Sequence, residues 1–149
     1  LRKHIEYAFW IEACEVLRPE DTERMWACVH RARELLNGQW IRIPNAEHRT
    51  FHLLVFERLE NPFVTGLLEV YWDAYEAVQL NRYSEYAYLQ QVWDYHEQIL
   101  RLICDGEFEA ARDTFMEHTT LLRHQPQIHK FQDANHRQTL DGKGVGTDE

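Results

Sequence analysis

Two histidines one helical turn apart are the first residues of this chain that indicate a chemical role. His48 and His52 share one face of an expected helix with the apolar residues Val55 and Leu59, at intervals of four, three and four. That face points inward, where two imidazoles can hold one metal ion. The alternative is that both histidines are hydrogen-bonded core residues without a ligand.

Two further helical segments each carry one histidine within an apolar stripe. His96 and His118 lie on either side of an expected turn at Gly106, ten residues before it and twelve after it. A short turn makes helices antiparallel neighbours, so we expect these two imidazoles to face each other. With His48 and His52, the sequence predicts a pocket lined by four histidines from three helices.

The ligand types indicate which ion such a pocket would bind. Imidazole suits Zn, Ni, Cu or Fe, whereas Mg and Ca prefer oxygen ligands. We therefore predict a divalent transition metal, with Zn as the first candidate and Ni as the second. The three cysteines, Cys14, Cys28 and Cys104, lie off the cluster, which favours a ligand-exchanging site over a closed structural one. A cation held by neutral histidines keeps its full charge and attracts an anion such as a carboxylate.

Six segments with helical periodicity must position these residues. Glycine occurs six times and proline four times, mainly at segment ends, and no strand-like alternation is present, so an all-α fold is predicted. The expected helices cover residues 1–17, 19–37, 44–60, 62–81, 84–104 and 108–124. They are long enough to form an antiparallel bundle with the histidine pocket in its core.

The apolar stripes predict which residues each helix buries. In the first helix they are Ile5, Ala8, Phe9, Ala13 and Val16. In the second they are Met25, Cys28, Val29, Ala32, Leu35 and Leu36, and in the fourth Val64, Leu67, Leu68, Tyr71, Tyr75 and Val78. In the fifth they are Leu89, Val92, Trp93, Leu100 and Ile103, and in the sixth Phe108, Ala111, Phe115 and Leu122.

Charge and composition exclude several classes of function. With 25 acidic and 16 basic residues the net charge is -9, so the chain itself is not expected to bind nucleic acid. No apolar run is long enough for a membrane span, and no signal-peptide pattern opens the chain. Scattered cysteines in odd number are typical of a reduced intracellular protein. We therefore expect a cytoplasmic protein with no membrane partner.

The last part of the chain differs in character from the rest. Residues beyond Gln125-Pro126 are mostly polar, with several glycines near the end. The sequence thus predicts a folded domain over residues 1–124 and a flexible tail over residues 125–149.

Short motifs follow one another along residues 1 to 124. They are Arg2-Lys3-His4-Ile5-Glu6, His48-Arg49-Thr50-Phe51-His52, Glu60-Asn61-Pro62, His96-Glu97-Gln98-Ile99-Leu100, Gly106-Glu107-Phe108-Glu109-Ala110-Ala111 and Met116-Glu117-His118-Thr119. In type and order they resemble the FCD domain, the C-terminal effector-binding domain of FadR-type GntR transcriptional regulators.

The resemblance implies a helical bundle whose metal is held by one Asp and three His near a small carboxylate effector. His52, His96 and His118 take the three histidine positions, while His48 stands where the family usually has aspartate. Histidine is also a ligand, so His48 is expected to bind the ion, but the identity and affinity of the metal are left open by this difference.

Arg2 matches a family arginine that reaches the pocket. As a guanidinium it can bind an effector carboxylate through paired hydrogen bonds. The alternative is a surface ion pair with Glu6, four residues later on the same helix.

The resemblance also implies how such a domain acts. Family members sense an effector, work as homodimers and pass the signal to an N-terminal winged helix-turn-helix. Residues 1–38 are taken up by the first two expected helices, so that DNA-binding domain is not expected here. The missing initiating Met favours an excised effector domain over a free-standing sensor. The expected partners are a small organic acid, a second copy of the chain, and DNA only through the absent domain.

A metal-dependent hydrolase or isomerase using the same histidines is the alternative function. It requires a general base beside the ion, and we expect no carboxylate on an inner helix face. Glu97 and Glu117 adjoin His96 and His118 in sequence but point elsewhere on their helices. No catalytic residue is therefore predicted, and the protein is expected not to be an enzyme. A third possibility is a bundle that a metal merely stabilises.

Overall fold

The computed structural model describes residues 1–77 and 85–121, which form six α-helices and no β-strand. The helices are α1 (Arg2–Glu15), α2 (Pro19–Asn37), α3 (Asn45–Phe56), α4 (Pro62–Ala77), α5 (Tyr86–Cys104) and α6 (Phe108–His118). The predicted all-α bundle is confirmed. Some of the sequence predictions lie outside the described residues. They are the burial of Val78 and Leu122, the helix ends at residues 81 and 124, and the tail over residues 125–149.

The helices pack into one bundle around a shared core. Helix α5 contacts both α2 and α6, while α3 contacts α1, α2 and α4, and α1 closes the bundle against α4 and α6. None of the described helices is both long and apolar enough to cross a lipid bilayer. The histidine-bearing helices α3, α5 and α6 therefore surround the core together with α1.

The turn between α5 and α6 fixes the register of these two helices. Gly106 has a φ of +78°, a left-handed conformation that a residue with a Cβ adopts only with strain. The N–H of Glu107 donates to the carbonyl of Leu102, which closes the end of α5. The tight reversal makes α5 and α6 antiparallel neighbours, as the sequence predicts.

Helices α3 and α6 are shorter than their sequence patterns predict. Helix α3 ends at Phe56 rather than near residue 60, because the N–H groups of Glu57 and Leu59 donate to carbonyls only three residues earlier and the chain tightens into turns. Asn61 Oδ1 then accepts the N–H groups of Phe63 and Val64 and begins α4. Helix α6 ends at His118, where the hydroxyls of Thr119 and Thr120 donate back to main-chain carbonyls.

The core faces of α2 and α5 agree with the sequence. Every residue of the stripes predicted for these two helices is buried. In α6, Ala111 and Phe115 are buried as predicted, and Phe108 is partly buried. Helical periodicity is sufficient in these helices because their inward faces are almost wholly apolar.

The prediction for α1 is partly wrong, since Ala13 is buried as predicted and Ile5 and Phe9 are partly buried against the core, but the most buried face differs. The buried face of α1 consists of Arg2, Glu6, Trp10, Ala13 and Cys14. Val16 is instead 42% exposed and Ala8 is exposed, so the inward face is turned by about one residue, or about 100°, from the apolar stripe. On α4, Leu67 is 47% exposed and Tyr71 is only partly buried, although the sequence predicts both to be buried.

Candidate metal centre

The four predicted histidines meet at one point in the core. His48 and His52 come from α3, His96 from α5 and His118 from α6, and all four are buried. Each offers one ring nitrogen, and these four nitrogens all lie within 4.8 Å of one another. The rings of His96 and His118 are 4.5 Å apart between centroids and meet edge to face at 79°, so the antiparallel helices bring them together as expected.

Burial keeps these imidazoles in their neutral, metal-binding form. It lowers the pKa of His48, His52 and His118 well below the ordinary value of 6.5, and the positive charge of nearby groups, Arg2 among them, lowers it further. Burial also lowers the pKa of His96 to about 3, although its hydrogen bond to the Val92 carbonyl opposes the shift. At neutral pH the cluster therefore presents lone pairs rather than charges.

The hydrogen bond of His96 determines which of its ring nitrogens is free. Nδ1 lies 2.6 Å from the carbonyl oxygen of Val92, and because a carbonyl only accepts, Nδ1 must donate the proton. The lone pair of neutral His96 is then on Nε2, which lies 3.1 Å from Nε2 of His52. His52 Nε2 lies equally close, at 3.1 Å, to Nε2 of His48.

These distances fit nitrogens that share one ion. Zinc–nitrogen bonds are about 2.0–2.1 Å long, so two nitrogens on the same ion are about 2.9–3.4 Å apart. Both 3.1 Å separations fall in this range. The same distances also fit a hydrogen bond from His52 to one neighbour, which is the alternative that the sequence leaves open. The residues present thus fit a transition metal in ligand type and protonation, and the His52–His48 and His52–His96 pairs also fit it in spacing.

Arg2 lies beside this cluster, in the interior of the protein. Its side chain is only 6% exposed, and its guanidinium lies over the rings of Tyr71 and Trp72, at 5.3 and 5.2 Å from their centroids. Arg2 Nε is 3.2 Å from Glu6 Oε2, so the two residues form the ion pair considered from the sequence. The expected surface position of that pair is wrong, because both side chains are buried.

Glu6 is the residue that sequence reasoning missed. It is fully buried, and its Oε1 lies 3.4 Å from Nδ1 of His52. Burial raises the pKa of Glu6 to about 7, against the opposing effect of Arg2. The expectation of no carboxylate on an inner face is therefore wrong. Glu6 faces Nδ1 of His52, however, whereas His52 meets the other histidines through Nε2, so Glu6 lies behind the cluster.

Several buried polar atoms around the cluster have no hydrogen-bond partner within the described part of the chain. They are both carboxylate oxygens of Glu6, Nδ1 of His52, Nδ1 of His118 and Nε1 of Trp72. Buried polar groups are normally hydrogen-bonded, and each exception calls for an explanation, of which a bound ion or a functional role is one kind. The motif Arg-x-x-hydrophobic-Glu was the available signal, since it places Glu6 one turn after Arg2 on the same face.

Comparison with known families gives the context for this site. Residues 1–121 match the family model of the FCD domain. The chain belongs to the FCD domain family. FCD domains are the C-terminal domains of FadR-type regulators in the GntR family, and they are regulatory rather than catalytic. No curated protein and no solved structure matches this chain.

Family membership and geometry support different statements about this FCD domain. Membership shows a regulatory domain of GntR-type regulators, in which a DNA-binding domain is the partner. The geometry shows a buried group of four histidines able to hold a metal ion. The metal-binding roles of His48, His52, His96 and His118 and the effector role of Arg2 stay predictions.

Proposed function

We propose that this FCD domain senses a small organic acid at a metal centre formed by His48, His52, His96 and His118. The observation that carries the proposal is the convergence of four buried, neutral imidazoles, whose ligating nitrogens lie within 4.8 Å of one another. Imidazole ligands suit zinc, the first candidate, and nickel, the second, and the absence of cysteine from the cluster favours a ligand-exchanging site over a closed structural one. The signal passes to a DNA-binding domain outside residues 1–121.

The chemistry of the site favours an anionic effector. A divalent ion held by neutral ligands would supply an uncompensated positive charge, which attracts a carboxylate. Arg2 adds a second cation beside the cluster, held between Glu6 and the rings of Tyr71 and Trp72. A guanidinium in this position recognises a carboxylate by paired hydrogen bonds. Binding and orientation of an acid are thus the tasks that these residues support.

A narrow approach to the cluster lies beside His48. This histidine is the most exposed of the four, at 9%, and a small cavity next to it is lined by Ile43, Pro44, Tyr88 and Trp93. The cavity has a volume of only about 10 Å³, roughly the space of one water, so an organic acid would have to displace the surrounding side chains to reach the cluster by this route.

Metal analysis is the first test of the proposal. We expect about one Zn or Ni per chain in protein purified without a chelator or a His-tag, and loss of that metal in His52→Ala and His118→Ala. His30→Ala, at an exposed position of α2, is the matched control and should keep the metal. A wild-type protein that remains metal-free after soaking in zinc would overturn the proposed centre.

Titration with small organic acids separates the proposed sensor from its alternatives. Hydroxy acids, dicarboxylates and sugar acids would be added to the zinc-loaded domain in a calorimeter and recovered for NMR. A sensor binds one class and returns it unchanged, whereas an enzyme converts it and a merely structural bundle ignores all of them. Arg2→Met should weaken binding of the acid, since it removes the guanidinium but keeps an apolar chain of similar length.

A second copy of the chain is the partner that we propose for the outer face of α4. Phe63, Leu67 and Val70 are 80%, 47% and 65% exposed, and with Ala74 and Ala77 they repeat at intervals of four and three. This spacing forms the apolar seam of two packed helices. Gly66 lies near the same face, and a Cβ at that position would meet no atom within 4 Å, which leaves room for close approach.

The oligomeric state tests this surface. We expect wild-type protein to be a dimer in sedimentation-equilibrium experiments and Val70→Glu to shift it to a monomer, because a charge would be buried in the seam. Ala110→Glu, an added charge at an exposed position of α6, should remain dimeric. Unchanged dimerisation of Val70→Glu would place the contact elsewhere.

A further inference from the structure

We propose that Glu6 positions His52 for metal binding and supplies the negative charge that a histidine-only ligand set lacks. This inference rests on the metal centre proposed above and assigns to it a residue that is not a ligand. The structural basis is a buried chain of contacts that runs from Arg2 through Glu6 to His52.

The protonation of His52 is the first step of the argument. His52 approaches the other histidines through Nε2, at 3.1 Å from both His48 and His96. An imidazole that binds a metal through Nε2 carries its proton on Nδ1, and that buried N–H then needs an acceptor. Glu6 Oε1 lies 3.4 Å from Nδ1, and neither atom has a hydrogen-bond partner among the described residues, so each is placed to serve the other once Nδ1 carries the proton.

The position of Glu6 distinguishes it from an ordinary ion-pair residue. A carboxylate that serves only to neutralise Arg2 would not require contact with a histidine of the cluster. Glu6 instead directs one oxygen at Arg2 Nε, at 3.2 Å, and the other at His52 Nδ1. Carboxylates that accept the second N–H of a ligating histidine fix its ring orientation and make it a stronger ligand.

Charge balance gives the second reason. Four neutral imidazoles leave the charge of a divalent ion uncompensated inside the protein, where an isolated charge is costly. The four candidate ligands are all histidines, so the ligand set itself contains no anion. Glu6, with no exposed side-chain surface, is the carboxylate that the fold brings against this ligand set. Because Glu6 also pairs with Arg2, it offsets only part of the charge of the ion and leaves the rest to attract an anionic effector.

Zinc affinity measured by competition with a chromophoric chelator tests the proposal. Glu6→Gln keeps the size and a carbonyl acceptor but removes the charge, whereas Glu6→Leu removes both. We expect the dissociation constant for zinc to rise about tenfold in Glu6→Gln and about a hundredfold in Glu6→Leu. Glu12→Gln, an exposed position on the same helix, is the control and should match the wild type.

Two further readouts separate positioning from a general structural role. The visible spectrum of the cobalt-substituted protein reports ligand geometry, and we expect it to change in Glu6→Leu but little in Glu12→Gln. Long-range ¹⁵N–¹H NMR of the zinc form should show a protected proton on Nδ1 of His52 in the wild type and in Glu6→Gln. In Glu6→Leu that proton should exchange rapidly with solvent or be lost.

The outcomes distinguish this inference from the proposed metal centre. Wild-type protein that binds no zinc would overturn both. Wild-type protein that binds zinc while Glu6→Gln and Glu6→Leu bind within about twofold of it would overturn the role of Glu6 alone. Thermal melting of the metal-free variants shows whether each is folded. Should Glu6→Leu fail to fold, the charge prediction is decided by Glu6→Gln, which preserves the side-chain volume.

Discussion

Two carboxylates are buried in the described part of the chain, and their surroundings differ sharply. Asp21, 1% exposed, accepts hydrogen bonds at Oδ2 from the guanidinium of Arg58 and from the main-chain N–H of Arg18. Glu6, fully buried, has contacts with Arg2 and His52 but no well-formed hydrogen bond among the described residues. The fold thus supplies hydrogen-bond donors to Asp21 but places none in good geometry for Glu6.

The pKa values follow this difference. The hydrogen bond from Arg58 lowers the pKa of Asp21 below its ordinary 3.8, whereas burial raises the pKa of Glu6 to about 7. A buried acid whose partners are all supplied by the protein stabilises the native state. A buried acid that lacks such hydrogen-bond partners and has a strongly shifted pKa is typical of a functional site, and Glu6 lies beside the histidine cluster. The comparison therefore separates a structural carboxylate from one that belongs to the candidate site.

The largest expected effect is the stabilisation of the folded protein by zinc bound to the histidine cluster beside Glu6. Zinc at about a thousand times its dissociation constant should raise the free energy of unfolding by about 4 kcal/mol, because it binds only the folded state. For a chain of this size the melting temperature should rise by about 10 °C. The same addition to His52→Ala should have no effect. A similar rise in both proteins would mean that zinc binds outside the cluster.

A smaller effect on stability is expected when Asp21, the hydrogen-bonded carboxylate, is replaced. Asp21→Asn should lower the free energy of unfolding in urea by about 1.5 kcal/mol, because it weakens charge-assisted hydrogen bonds to Arg58 and to the start of α2. Glu23→Gln, at an exposed position of the same helix, should leave the stability unchanged. An unaffected Asp21→Asn variant would remove the contrast between the two acids.

The pH dependence of this stabilisation follows from the direction of the shift. Because the pKa of Asp21 is lowered in the folded state, its contribution is complete above the unfolded value of about 3.8 and is lost as the pH falls through the lower, folded value. Urea unfolding of wild type and Asp21→Asn should thus differ near neutral pH and converge in strong acid. A difference that persists at the lowest pH would contradict this assignment.

The smallest effect on stability is expected when the buried ion pair of Arg2 and Glu6 is replaced. The metal-free double variant Arg2→Met/Glu6→Leu replaces two buried charges with apolar groups, so its free energy of unfolding should be no lower than that of the wild type. Its zinc affinity should nevertheless fall. A loss of more than about 2 kcal/mol in the metal-free state would show that the pair has a structural role like that of Asp21.

Much of the candidate site was predictable because it depends on local periodicity. His48 and His52 are one turn apart on α3, and a single turn at Gly106 sets His96 against His118. Both relations follow from helix geometry and from the shortness of one connection. The inward faces of α2 and α5 were predictable for the same reason, since few polar residues interrupt them.

The sequence by itself therefore determined the all-α class, the family and the four histidines of the cluster. Only the tertiary structure decided the orientation of α1, in which Arg2 and Glu6 are buried while the expected core residues Ala8 and Val16 are exposed. Hydrophobic patterning assigns charged residues to the surface, because burying a charge alone is unfavourable. Whether a charge is alone depends on partners distant in sequence, and His52, 46 positions after Glu6, is brought to it only by folding.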